Sequence, residues 1–173
     1  MLFGSKRQKI AQAVLKQVQP QFNGLERVVG TLPPEVATDQ YVLGYLIASI
    51  GIVIQMVSGG KISTEDKGFV IFDCIKAVFG GNAPSIEHIS NLTESGHPDF
   101  LRGAKAADKI MCAIAGFPDY ENDPDVVAAR REACTLGKSL DFLSPGADEN
   151  AKVAGHLQAR LLNQYIVQRY VKR

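Results

Sequence analysis

At 173 residues, 46% of them apolar and 21% charged, the chain is long enough to bury a core of its own and too apolar to be disordered throughout. A formal charge of +1, no tryptophan and no aromatics interleaved with basic residues exclude the profile of a nucleic-acid-binding domain. Cys74, Cys112 and Cys134 lie far apart inside helical patterns, which gives neither a disulfide framework nor zinc-ligand spacing and reads as small buried hydrophobes.

The charge is unevenly placed. Residues 1–30 carry +4, residues 152–173 carry +5 with no acid, and the middle carries −8. Basic ends on an acidic centre can pair within a fold or between two copies. The opening MLFGSKRQK turns charged before an apolar signal core can form, so the expected location is cytoplasmic.

A first amphipathic helix is expected from an N-cap at Ser5. Ile10, Val14, Leu15 and Val18 share one face, and Lys6, Lys9, Gln12 and Lys16 the other. Pro20 is expected to kink or end it, with Phe22, Leu25, Val28 and Val29 adding a further turn or two before Gly30. Two prolines make 31–34 a turn.

The stretch 40–60, QYVLGYLIASIGIVIQMVSGG, has no formal charge and predicts a buried central helix capped by Thr38 and stopped by Gly59 and Gly60. Leu43, Ile47, Ile50, Ile54 and Val57 fall on one face, while Gly44, Ala48, Gly51 and Gln55 form a small-residue stripe that suits a close helix partner. Its apolar part, 41–57, would span about 25 Å, against roughly 30 Å of membrane hydrocarbon, so a soluble core helix is favoured over a membrane span.

Ser63 caps a third helix running to Phe79, with Phe69, Phe72, Ile75, Val78 and Phe79 expected inward, Cys74 and Val70 close by, and Gly80-Gly81 as its stop. A shorter helix covers 85–92, followed by a loop over 93–97. Pro98 and Asp99 open a fifth helix that ends at Gly116 and Pro118. Asp123-Pro124 starts a sixth, through Leu136, Leu140 and Phe142, broken at Ser144-Pro145-Gly146. A long last helix from about Asp148 places Ala154, Leu157, Leu161 and Tyr165 on one line, with Leu162, Ile166 and Tyr170 beside it. Strict alternation never persists, so no strand is expected. The fold class is therefore all-α, a single compact bundle of six to seven helices around the 40–60 helix, forming one domain over 1–173.

Specific chemistry is sparse. Asp119, Glu121 and Asp123 alternate as the first ligands of a calcium loop do, which makes them weak metal candidates. Pro124 stands where such a loop needs glycine, however, and Arg130 where it needs glutamate. His88, His97 and His156 have no metal-motif spacing, and no phosphate-binding or nucleophile-elbow motif is present, so neither a catalytic residue nor a cofactor is expected.

The hairpin turn Ser58-Gly59-Gly60-Lys61-Ile62-Ser63-Thr64-Glu65-Asp66, between two apolar helices over about 41–80, resembles the TerB-like family of all-helical proteins. That family's turn reads Ala-Asp-Gly-x-Ile-Ser-x-x-Glu. Gly60, Ile62 and Ser63 match, and Gly59 and Asp66 stand where the family has its aspartate and glutamate. The resemblance implies a helical hairpin and a link to tellurite and stress resistance, with acidic residues as proposed metal ligands.

The functional expectation is a non-catalytic cytoplasmic interaction module that binds another protein or a second copy of itself. Gly44, Ala48, Gly51, Leu157, Leu161 and Tyr165 are its candidate interface, and nucleic acid is not an expected partner. The alternatives are a small metal-binding protein or enzyme using the 119–125 loop or a cysteine, and membrane association through 40–60.

Overall fold

The computed structural model describes residues 6–140 and 148–171, without the side chains of 28, 29 and 136–140. Ser5, Val28, Val29, Leu136, Leu140, Phe142 and the 144–146 breaker therefore lie outside what is described. The fold is all-α: the described residues contain seven α-helices of ten residues or more and no strand. The sequence predicts one domain, whereas the contacts gather into two compact units, Met1–Lys105 and Ala106–Arg173.

The first unit begins with α1 (Lys6–Val29), which packs along both α2 (Gln40–Ser58) and α3 (Thr64–Phe79). Its buried stripe is Ile10, Val14, Val18, Phe22 and Leu25, and Lys6, Lys9, Gln12 and Lys16 are exposed opposite. Of the two outcomes expected at Pro20, an end to the helix does not occur: α1 continues through it to Val29. The proline is on the exposed side, and burial of Val18 before it and Phe22 after it offsets the missing N–H. The Phe22 ring meets that of Phe79 edge-on, with centroids 5.7 Å apart.

A 3-10 turn, Pro34–Thr38, leads into α2. The cap is Asp39 rather than Thr38: the Val42 N–H donates to its carboxylate at 3.0 Å, while the Thr38 hydroxyl donates to the Glu35 carbonyl. Every residue from Tyr41 to Leu46 is buried, which no one-sided helix could achieve. The Tyr45 hydroxyl donates to Gln21 Oε1 at 2.6 Å, and burial pushes its pKa above the ordinary tyrosine range. The last turn of α2 emerges: Met56 is 65% exposed and Val57, expected in the core, 46%. Gly59, at φ 59°, then closes the helix in the left-handed conformation that glycine adopts without strain.

Ser63 caps α3 as expected, accepting from the Asp66 N–H, and its hydroxyl donates to the Asp66 carboxylate at 2.9 Å. The buried face of α3, however, is Val70, Cys74 and Ile75, with the Cys74 thiol 3.9 Å from the Ala11 carbonyl of α1. Phe69 is 41% exposed, and Phe72, Val78 and Phe79 are half-buried. The helix is rotated by about one residue from the predicted stripe, because α1 takes the 70/74 side.

Next come a 3-10 turn (Gly80–Asn82), α4 (Ile86–Ser95, capped by Ser85) and α5 (Pro98–Ala115), so the helix expected over 85–92 runs three residues further. Leu43, Leu92 and Phe100 form a core cluster with Ile47 and Phe79 packed against it.

In the second unit the end of α5 is followed by a 3-10 turn (Pro118–Tyr120), α6 (Pro124–Leu140) and α7 (Glu149–Gln158, capped by Asp148). Helical structure continues from α7 through a π segment (Ala159–Asn163), one α turn (Gln164–Ile166) and a second π segment (Val167–Val171). The fully buried line is Leu157, Leu162 and Ile166 rather than Leu157, Leu161 and Tyr165. The wider π turn inserts one residue between successive inward positions, and no amino-acid pattern in the stretch announces it.

Candidate functional site

An open apolar groove of about 700 Å³ lies between α3 and α4, floored by Ile47 of α2. From the end of α3 to α4 the chain direction turns by 117°, so the two helices diverge and leave apolar side chains between them without a covering element among the described residues of the first unit. Phe69, Ile71 and Phe72 line one wall, and Ile86 and Ile89 the other. Ile86 is 55% exposed, an unfavourable setting for a large aliphatic side chain facing its own apolar neighbours across open water. Gly68 lies in the α3 wall, and a Cβ placed there would meet no atom within 4 Å.

The groove's polar lining is Thr64, Glu65, Ser90, Thr93 and Glu94. The Ser90 hydroxyl donates to Glu94 at 3.1 Å, and the Thr93 hydroxyl to the Ile89 carbonyl at 2.8 Å, so part of this lining is already satisfied along α4. Two cations stand on aromatic rings of the α3 wall, Arg7 at 5.0 Å from the Phe69 centroid and Lys76 at 5.6 Å from that of Phe72. No histidine or cysteine lines the groove, so it offers apolar contact and a carboxylate rim rather than an activated nucleophile.

The expected interface stripe divides. Gly44 is buried, and a Cβ there would overlap the Phe100 carbonyl of α5; a Cβ at Gly103 would likewise overlap the Tyr41 carbonyl of α2. The close helix partner that Gly44 invites is thus α5 of the same chain, which corrects its assignment to an intermolecular interface. Ala48 and Gly51 are half-buried, and nothing approaches a Cβ at Gly51. Leu157 is completely buried and unable to meet a second copy, and Leu161 and Tyr165 are half-buried.

The acidic loop holds its charges against cations of its own unit. Asp123 is 2.7 Å from the Lys109 ammonium, which also reaches Asp125 at 3.1 Å, and Glu121 lies 3.6 Å from Arg130. Burial opposes the charge on Lys109, but its hydrogen bonds to both aspartates outweigh this and hold its pKa above the ordinary range. Burial likewise works against the Asp123 carboxylate, and the Lys109 bond with the Asp125 and Val126 N–H groups holds its pKa below the ordinary range. Asp119 is exposed on the 3-10 turn. Among the described residues no three His, Cys, Asp or Glu side chains gather as a metal site would require, so Asp119, Glu121 and Asp123 do not come together as ligands.

Cys74 and Cys112 are set against nucleophilic use. Burial pushes Cys74 up to about 12, and burial with the nearby Asp108 and Asp119 raises Cys112. Cys134 is exposed.

One cluster was not foreseen. Glu132 of α6 accepts from Arg160 at 2.8 Å and lies 3.3 Å from His156 Nδ1. His156 Nε2, Arg160 Nε and Asn163 Oδ1 are buried without a hydrogen-bond partner. The i, i+4, i+7 spacing of these three residues is visible in the sequence, but the carboxylate that faces two of them lies across the unit on another helix. No protein-family model, no curated protein and no solved structure matches the chain.

Proposed function

We propose that the chain is a non-catalytic protein-interaction module that takes an amphipathic helix of another protein into the α2–α3–α4 groove. The observation that carries this is the groove itself: about 700 Å³ lined by Phe69, Phe72, Ile86 and Ile89 and left open to solvent. Its volume falls in the range of roughly 300–1,000 Å³ typical of binding sites, and helix-walled grooves take a partner helix through apolar anchors at i, i+3/i+4 and i+7. The thiol and acidic-loop geometries lend no support to catalysis. Dimerisation through the Gly44 stripe is not part of the proposal, because α5 occupies that position.

Gly68 supplies the test. A leucine at this position projects into open space and should obstruct the groove, while replacing a helical glycine favours α3 by about 1 kcal/mol. An 18-residue amphipathic peptide with a leucine face and glutamine flanks should bind the wild-type chain one to one in calorimetry and lose at least about tenfold in affinity to Gly68→Leu, a loss of some 1.4 kcal/mol. Equal binding to both proteins, or none to either, would overturn the reading.

A further inference from the structure

We infer that the helix this groove accepts carries lysine or arginine beside its apolar face. The inference rests on the groove reading above and adds the chemistry of the partner. Among the described residues the two charged ones that line the groove, Glu65 and Glu94, are both acidic, both exposed, and on opposite walls. Neither is within ion-pair distance of a cation among the described residues. Arg7 and Lys76 stand on the rings of Phe69 and Phe72 and form no ion pair with either carboxylate, of which Glu94 accepts from the Ser90 hydroxyl.

Position along the helices sharpens the argument. Glu65 sits in the first turn of α3, where a carboxylate complements the N-terminal end of the helix dipole. Glu94 sits in the last turn of α4, where the free carbonyls already concentrate negative charge and no basic residue answers them. A cation at that end meets both a carboxylate and the negative pole of α4, whereas an acidic flank would meet repulsion there. Apolar anchors between Phe72 and Ile89 with basic residues on the two edges therefore complement the groove in shape and in charge.

The test uses the full chain and three fluorescent peptides that share one leucine face and carry lysine, glutamine or glutamate flanks. Anisotropy titrations at low salt should rank them lysine, glutamine, glutamate, with about a tenfold gap between the extremes that narrows as salt rises. Glu65→Gln with Glu94→Gln should shrink that gap below about threefold, and Gly68→Leu should weaken all three. Equal affinities for the lysine and glutamate peptides, with Gly68→Leu still weakening both, would overturn the charge inference and leave the groove standing. Binding insensitive to Gly68→Leu would overturn the groove reading itself. If a neutral apolar dye binds and is blocked by Gly68→Leu while no peptide binds, the site takes small apolar molecules and the inference fails.

Discussion

The two units are held by different physics. In residues 6–105 the interior is almost wholly apolar, built on Val14, Val18, Phe22 and Leu25 of α1 against the fully buried start of α2. In residues 106–171 small side chains such as Ala107, Ala129 and Ala133 share the interior with a few aliphatics. There, polar clusters tie elements together: Lys109 to Asp123 and Asp125, Tyr120 to Asp108, and Glu132 to His156 and Arg160. Apolar burial is non-directional and tolerates an incomplete wall, so the first unit can leave a groove open and still be stable. Paired charges are directional, and breaking one partner strands the other.

The largest effect should come from the α2–α5 crossing. Gly44→Ala puts a methyl group into the Phe100 carbonyl, and with backbone as the obstacle the helices must part. A loss of roughly 3 kcal/mol or more is expected in chemical denaturation. A loss under about 1 kcal/mol would show that the crossing is loose. Next is Ile54→Ala, which removes a completely buried side chain of α2 and should cost about 2–5 kcal/mol through lost burial and a residual cavity.

In the second unit Glu132→Gln should cost about 1 kcal/mol, since Arg160 and His156 both lose their anion in a half-buried setting. Peptide binding at the groove should be unchanged by it. A stability change of the same size for Glu132→Gln and for an exposed control such as Glu26→Gln would contradict the polar account of this unit.

How much of this the sequence discloses depends on how local the cause is. Ser63, Gly59, Gly116 and the Asp123-Pro124 start of α6 are legible because a cap is decided by hydrogen bonds within four residues. The face of α3 is not, because Phe69, Val70, Ile71 and Phe72 are all apolar and only the position of α1 selects among them. That α1 does not end at Pro20 is not legible for a related reason: the local cost of proline is plain in the sequence, and the burial on either side that outweighs it is not. The groove is legible only in its ingredients, an excess of aromatic and aliphatic side chains on α3 and α4, since a concavity exists only once three helices are placed. The π segments, which move burial from Leu161 to Leu162, leave no compositional trace.

The smallest stability effect concerns pH. The Asp123 pKa is held below the ordinary carboxylate range, so its contribution is complete above the titration of the unfolded side chain and is lost as pH falls through the folded value. Lys109 is held above the ordinary range, so its contribution is complete below the unfolded lysine's titration and is lost as pH rises through the folded value. The pair should therefore leave neutral stability flat and add a decline at the acid end and another at strongly alkaline pH. Asp123→Asn should remove the acid-side part at a cost of about 1 kcal/mol at neutral pH, measured by thermal melts across the range. An unchanged acid slope in that variant would assign the decline to other groups.

The central claim is that the unfilled apolar surface of α3 and α4 is where a partner sits. Amide hydrogen exchange on the full chain, with and without a saturating lysine-flanked amphipathic peptide, tests it most directly. The account predicts slower exchange within 64–95, centred on the walls around Phe69 and Ile89, no change in 106–140, and loss of the effect in Gly68→Leu. Protection elsewhere with none in 64–95, or protection in 64–95 that persists in Gly68→Leu, would contradict it.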